Sequence, residues 1–225
     1  MVLEVIQREV PTRGIGYLIL RDCPEDRLGE ALGRGMEKLK KAGAQTVWAT
    51  SLPEGEPLHP GPAGVWRLTH VHDMVRMERP LSPDRPKPEG KLVLRSPRKA
   101  QEENTYLELM NRAYQNVPNT VTLRQTDLQL QNHRYGLAYQ GEQAVGAYEL
   151  DLSERIPELS ALAVEPSLWH QGLGRTLLRT VLESLNAKTS SCCLKVSSIN
   201  SAAMGLFTAE GFVQTGLISG WFEVV

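Results

Sequence analysis

The sequence holds little cysteine, no surplus of either charge and no long apolar run, and each shortage excludes something. Three cysteines among 225 residues, two of them adjacent (Cys192 and Cys193), cannot form a disulfide framework. Their spacing suits no zinc site either. Lys plus Arg number 25 against 26 Asp plus Glu, a formal net charge of −1. No global basic field is present to hold a polyanion, which argues against non-specific nucleic-acid binding. The longest apolar runs, such as Tyr17 to Leu20, are a few residues long, against roughly 20 for a membrane-spanning helix. Near the N-terminus Glu4, Arg8 and Glu9 interrupt any stretch that could act as the apolar part of a secretory signal. These absences lead us to expect a cytoplasmic protein without a metal, a membrane or a nucleic-acid partner.

What is present is an ordinary globular composition: 41% apolar and 23% charged residues, enough to bury a real core. The length is room for one large domain or two small ones. The sharpest change in composition is Pro80 to Gly90, a proline-rich stretch that favours extended, solvated chain. Read as a linker over 81–90, it separates residues 1–80 from residues 91–225.

In the C-terminal part, Leu92 to Arg95 predicts a short strand and Arg98 to Gln115 a helix. Tyr135 to Tyr139 and Ala144 to Leu150 flank Gly141 and predict a hairpin. Leu159 to Val164 is a continuous apolar run stopped by Pro166, the pattern of a buried central strand. Over Gly172 to Ala187, Leu173, Leu177, Leu178, Val181, Leu182 and Leu185 form a helical stripe. Cys192 to Ser197 predicts a strand, Ser201 to Glu210 a short helix stopped by Gly211, and Val213 to Val225 a closing pair of strands. Since Cys192 and Cys193 would alternate faces of one strand, at least one is core. This order of elements implies an α/β fold with a mixed sheet.

Two segments carry chemistry. In Leu162 to Leu178 a buried strand ends, a proline follows, and Gly172-Leu173-Gly174 opens an amphipathic helix. Such glycines let several backbone N–H groups point into one concave loop, and the positive end of the helix dipole adds to it, which makes a site for phosphate or pyrophosphate. No Lys-Ser/Thr pair follows, so this is not the nucleotide-triphosphate loop. Leu177 stands where a dinucleotide fingerprint needs its third glycine. In Asn200 to Phe212 an asparagine opens a short helix and Gly-Phe closes it, which by itself reads as a capped helix with a glycine stop.

Taken together, in order and with the right helix between them, these segments resemble the GNAT N-acetyltransferase family. Val164, Pro166, Gly172, Gly174, Asn200, Ala203, Leu206, Phe207, Gly211 and Phe212 carry the match, and the resemblance covers residues 91–225. It implies the GNAT acyl-CoA N-acyltransferase fold, a mixed and mostly antiparallel sheet flanked by helices, and acetyl transfer from acetyl-CoA to an amine. The pantetheine arm of coenzyme A would lie where two parallel strands splay apart, against backbone at Leu162, Ala163 and Val164. An open strand edge suits an extended amide chain. The pyrophosphate would rest on the loop amides of Gln171, Gly172, Leu173, Gly174 and Arg175, next to His170, with Asn200 and Phe207 reaching the cofactor from the following helix. Trp169 stands where the family has Arg or Gln.

The resemblance also implies catalytic positions. Glu158, at the start of the strand before the loop, sits where some members carry a basic glutamate. It reads equally as a solvated carboxylate. Lys195 stands at the other family location for such a glutamate, and Phe207 replaces the tyrosine that usually protonates the leaving thiolate. A free thiol titrates near about 8.5, so the thiolate can leave without an acid. Tyr135 or Tyr148 could equally serve. Asp127, His133 and Glu149 are either acceptor-pocket or surface residues.

In the N-terminal part, Asp22 predicts a helix cap ahead of Pro24 and Glu25. Leu28, Ala31, Leu32, Met36 and Leu39 predict the buried stripe, and Lys38, Lys40 and Lys41 suit the helix end before Gly43. Strands are expected at Thr46 to Thr50 and within Val65 to Arg79. This part resembles the second half of a GNAT domain, degenerate because Arg27 takes the place of the first loop glycine and a Pro/Gly-rich loop, Pro53 to Gly64, replaces the motif helix. An unrelated small α/β module is the alternative. The acceptor would be a small-molecule or peptide amine. Rival readings are a non-catalytic acyl-CoA-binding protein and a nucleotide-binding protein. A closing strand left exposed at Val225 would invite pairing into a homodimer.

Overall fold

The computed structural model describes residues 2–52, 57–82, 92–117, 120–128, 132–185 and 188–225. Residues 83–90 of the expected linker, 53–56 of the Pro/Gly-rich loop and 186–187 at the expected helix end lie outside them. In chain order the elements are β1 (Val2–Ile6), α1 (Val10–Arg13), β2 (Ile15–Arg21), α2 (Glu25–Lys41), β3 (Thr46–Ser51), β4 (Gly61–Ala63), β5 (Trp66–Pro80), β6 (Val93–Arg95), α3 (Ala100–Tyr114), β7 (His133–Gln140), β8 (Gln143–Asp151), β9 (Glu158–Val164), α4 (Leu173–Glu183), β10 (Ser191–Ser197), α5 (Ser201–Ala209) and β11 (Val213–Val224). Among the described residues, no helix is long and apolar enough to cross a membrane.

The chain divides into two compact units. One comprises Met1–Val75, Ser197–Ile199 and Gly216–Val225; the other comprises Arg76–Val196 and Asn200–Thr215. Strands β5 and β11 therefore each contribute to both.

In the first unit β1 pairs antiparallel with β2, β2 pairs parallel with β3, and β3 pairs antiparallel with β11, which is followed by β5. Helix α2 is the crossover between β2 and β3. Its apolar stripe delivers Ala31, Leu32, Met36 and Leu39 onto Leu18, Leu20, Val47 and Ala49. Each leucine buried this way contributes roughly 1.5–3 kcal/mol. The start of α2 differs from expectation: Pro24 is the residue before the first turn and no side chain caps it, while Asp22 has φ +48° in the preceding turn. Proline's ring sets the extended backbone from which the helix starts, so the carboxylate one turn back is displaced from the capping position.

In the second unit the order is β5, β10, β9, β8, β7, β6. β9 and β10 run parallel; β8 with β9, β7 with β8 and β6 with β7 are antiparallel. The expected strands at 92–95, 135–139, 144–150, 159–164 and 192–197 and the helices at 98–115 and 201–210 are present within two residues or so at each end. α4 is shorter than its apolar stripe. Glu102 accepts from the Arg98 and Lys99 N–H groups (2.7 and 3.3 Å) and so caps α3. Tyr106, Leu109 and Met110 of α3 pack on Leu137, Ala147 and Ala163 of the sheet. Leu177, Leu178, Val181 and Leu182 bury the inner face of α4. Cys192 and Cys193 are both buried, because β10 is a central strand covered on either face.

Two further expectations are corrected. The closing segment is one 12-residue strand, β11, not a pair. It also does not form an edge, since β11 has β3 on one side and β5 on the other. The glycines at 216 and 220 do not break it, and the Thr50 hydroxyl donates to the Gly220 C=O at 2.7 Å.

Candidate active site

The glycine loop and the strand before it form one feature. After Leu159, β9 carries an extra residue, Ser160, so that Glu149 pairs with Ala161 while Leu150 pairs with Leu159. A bulge of this kind bends its strand and raises its twist. The parallel partner β10 matches β9 at only two positions, Cys193 with Glu158 and Leu194 with Leu159. Beyond the bulge β9 runs on to Val164 with no matched residue on β10.

The backbone there still carries its polar groups. Glu165 N–H donates to Val145 C=O at 2.9 Å, and antiparallel bonding alternates, so Ala163 turns toward β8 while Leu162 and Val164 turn away from it. Side chains meet both. Leu162 N–H donates to the Tyr114 hydroxyl (3.0 Å), which donates in turn to Leu162 C=O (3.1 Å). The Trp169 indole N–H donates to Val164 C=O (2.8 Å). Burial pushes the Tyr114 phenol above its ordinary pKa, so it remains a donor. Of the three positions expected to meet an extended ligand, Leu162 and Val164 face the opening and Ala163 does not.

The loop then turns at Gly172, whose φ of +79° belongs to the left-handed region, and α4 begins at Leu173 with no side-chain cap. A Cβ at Gly172 would meet nothing within 4 Å. Conformation, not crowding, is what asks for glycine there. His170 also takes positive φ, at +62°. The first N–H groups of α4 are thus uncapped beside open space, the arrangement a phosphate group fits. The Arg175 side chain leaves the loop to meet Glu210 at 3.0 Å, where Arg179 binds the same carboxylate at 2.8 and 3.0 Å. Glu210 is buried, and these guanidinium groups compensate its charge. Asn200 caps α5, its Oδ1 accepting from Ala203 N–H at 3.2 Å. Phe207 is buried edge-on against Phe212, with ring centroids 5.7 Å apart.

Glu158 lies on β9 opposite Cys193 of β10, and Lys195, two residues further along β10, brings its Nζ to 3.0 Å from Glu158 Oε2. The two positions singled out for a basic glutamate therefore hold one ion pair. Asp127 sits in an exposed turn, where it accepts from Arg124 N–H at 2.7 Å.

Glu149 and His133 form a different cluster. A cavity of about 190 Å³ lies between α3, the segment 120–123 and the sheet; Met110, Tyr114, Val121, Leu123, Glu149 and Ala161 are among its lining residues. Asn111 holds that segment in place: its amide donates to Leu123 C=O (3.0 Å) and its carbonyl accepts from Leu123 N–H (2.7 Å). Glu149 accepts from the Tyr106 hydroxyl at 3.4 Å, and its Oε1 lies 2.5 Å from His133 Nδ1. His133 Nε2 lies 3.6 Å from Asp151 Oδ2. The Ser153 hydroxyl and N–H hold the Asp151 carboxyl below the usual carboxylate range. Burial and the Glu149 charge push the Tyr106 phenol well above its usual value.

Tyr106 and Tyr114 were missed as site residues. With Met110 they recur every fourth residue, which marks a buried helix face but says nothing of the hydroxyls.

Residues 102–212 match the family described as Acetyltransferase (GNAT) family. Among solved structures, a GCN5-related N-acetyltransferase from Sphaerobacter thermophilus is similar at 16% identity and a TM-score of 0.63, over 98% of this chain and 75% of that one. A GCN5-related N-acetyltransferase from Kribbella flavida is similar at 12% identity and a TM-score of 0.53, over 93% and 80%. A functionally unknown conserved protein from Staphylococcus epidermidis is similar at 14% identity and a TM-score of 0.58, over 92% and 83%. At these identities the likeness is one of fold. None of the curated proteins compared matches the chain. The splayed strand and the glycine turn lie within the matched stretch, and residues 102–212 of this chain are a domain of the GNAT acetyltransferase family.

Proposed function

We propose that this protein is an acetyl-CoA-dependent N-acetyltransferase that passes an acetyl group to a primary amine by direct attack in a ternary complex. The observation that carries this reading is the loss of pairing between β9 and β10 beyond Leu159, directly before the left-handed Gly172 turn. The residues present fit coenzyme A: Leu162 and Val164 turn backbone groups away from β8, the side on which an amide chain could pair. Gln171 to Arg175 provide loop amides at an uncapped helix start, and the Asn200 amide nitrogen remains for a ligand while its oxygen caps α5.

Acetyl-CoA, when bound, supplies an acetyl thioester. The chain's part is to orient it, to bind the acceptor in the cavity beside Tyr114 and to take up the acceptor's proton. Phe207 has no proton to give, so the thiolate leaves unaided or with a proton from the attacking nitrogen. We read residues 1–80, which hold most of the first unit, as a degenerate half-domain of the same family, with β2–α2–β3 as its crossover. That unit has a packing role. Free cysteines at 23, 192 and 193 suit the reducing cytoplasm in which we place the protein.

Calorimetric titration with acetyl-CoA, with ATP as the control ligand, tests the reading. Micromolar binding of acetyl-CoA and none of ATP is expected. A folded protein that binds no acetyl-CoA overturns it. Binding without thiol release under any amine would favour a non-catalytic acyl-CoA-binding protein, which the Glu158–Lys195 pair and Phe207 would then explain.

A further inference from the structure

We propose that Glu149, backed by His133 and Asp151, is the base that takes the proton from the acceptor's ammonium group, and that the acceptor is a small primary amine with an apolar body. The inference rests on the acetyltransferase reading above. Glu149 lines the cavity at the bulge where β9 parts from β10, next to Ser160, Ala161 and the Tyr114 hydroxyl that marks the Leu162 edge. Among the described residues it is the one charged group lining the cavity, set against Met110, Val121, Leu123 and Ala161. A carboxylate in an apolar cavity of about 190 Å³ selects a cation with a small apolar remainder. Glu158 does not line this cavity, and its carboxylate is engaged by Lys195.

The cluster also gives the proton a path. Glu149 Oε1 meets His133 Nδ1 at 2.5 Å, and His133 Nε2 faces Asp151 Oδ2 at 3.6 Å. Glu149 takes one proton from the ammonium, and the imidazole relays it toward Asp151 and solvent. The freed nitrogen lone pair then forms the N–C bond to the thioester carbonyl and the C–S bond breaks. The second proton lost from nitrogen goes to the departing sulfur. Acetyl-CoA and the ammonium thus yield amide, free thiol and one released proton.

The ionisable neighbours of this relay come from every element packed against it. Tyr106, Tyr114 and Glu103 lie on α3, Tyr135 on β7 and Asp151 on β8. Glu158 is the residue opposite Asp151 on β9, with Lys195 on β10.

The test uses the full chain, acetyl-CoA, and 2-phenylethylamine as the probe, with thiol release followed from pH 6 to 9.5. In Glu149→Gln, kcat is expected to fall at least 100-fold and the acid limb of the profile to flatten, whereas Glu158→Gln stays within threefold. His133→Gln is expected to lose about tenfold, and added imidazole to restore it, which a structural role for His133 would not allow. A binding measurement needs no turnover: the wild type should hold 2-phenylethylamine at least tenfold tighter than its neutral isostere 2-phenylethanol, and Glu149→Gln should erase that difference. A hundredfold loss in Glu158→Gln with Glu149→Gln unaffected overturns the proposal. So do equal affinities for the amine and the alcohol, or acetyl-CoA binding without thiol release from this amine. Absence of acetyl-CoA binding instead overturns the reading beneath it.

Discussion

The chain builds the same crossover twice, strand–helix–parallel strand, and the two copies differ where chemistry would occur. In β2–α2–β3 the strands are matched at six consecutive positions, from Ile15 with Thr46 to Leu20 with Ser51. In β9–α4–β10 they are matched at two. The helix starts differ as well. α2 begins after Pro24, and its first turns are packed so closely on the Ala63–Gly64 turn that a Cβ at Gly29 would lie 3.1 Å from Gly64 Cα. α4 begins at a left-handed glycine with open space beside it. One crossover spends its backbone groups on its own ladder, which gives stability and leaves nothing to offer. The other leaves backbone groups of Leu162 and Val164 to be met by the side chains of Tyr114 and Trp169.

That contrast can be tested by closing the open crossover and by prising at the closed one. Gly172→Glu puts a side chain where φ is +79° and a carboxylate beside an expected pyrophosphate; acetyl-CoA affinity measured by calorimetry should fall about 100-fold, some 2.7 kcal/mol. Unaltered affinity would show that the turn is structural only. Gly29→Leu should lower folding stability by about 1–3 kcal/mol in a denaturant titration, because the new side chain meets backbone that cannot swing away. It should leave acetyl-CoA affinity within twofold; a comparable loss of affinity would break the assignment of a packing role to the first unit. Smallest is Tyr114→Phe, which leaves the Leu162 N–H and C=O unmet and should cost about 1 kcal/mol. Since the folded-state pKa of this phenol is raised, its share of stability is present below its unfolded value and is lost as pH rises past it. The mutant's stability should therefore decline less steeply above pH 10 than that of the wild type.

The loop was legible in the sequence because its requirements are local. A strand that must stop shows Pro166, a left-handed turn shows Gly172, and a helix packed on one face shows leucines at a 3.6-residue period. The same holds for α2, whose buried stripe is as expected although its cap is not. Of the Glu149 cluster only Glu149 and His133 were legible, as candidates named beside the unrelated Asp127, and Asp151 was not, for two reasons of register. In β7–β8 the pairing shifts by one residue between Ala138 and Tyr139. Counted outward from the Gln140–Gln143 turn without that shift, Glu149 would oppose Arg134; with it, Glu149 opposes Tyr135 and His133 opposes Asp151. A one-residue slip moves every side chain to the other face, and no residue type at 138 or 139 announces it. The second bulge, at Ser160, is equally silent.

By itself, then, the sequence determined which segments between residues 92 and 210 are strands and helices, where the glycine turn lies, and which family the pattern resembles. Those properties depend on apolar period, on glycine's access to positive φ and on proline's missing donor, all written within a few residues. The tertiary structure decided that β11 is an interior strand whose last residues complete the first unit, that Lys195 engages Glu158, and that Glu149, which lines a cavity, meets His133 with Asp151 beyond it. Each of these joins residues distant in the chain, through pairing registers and bulges set by the packing of the whole sheet.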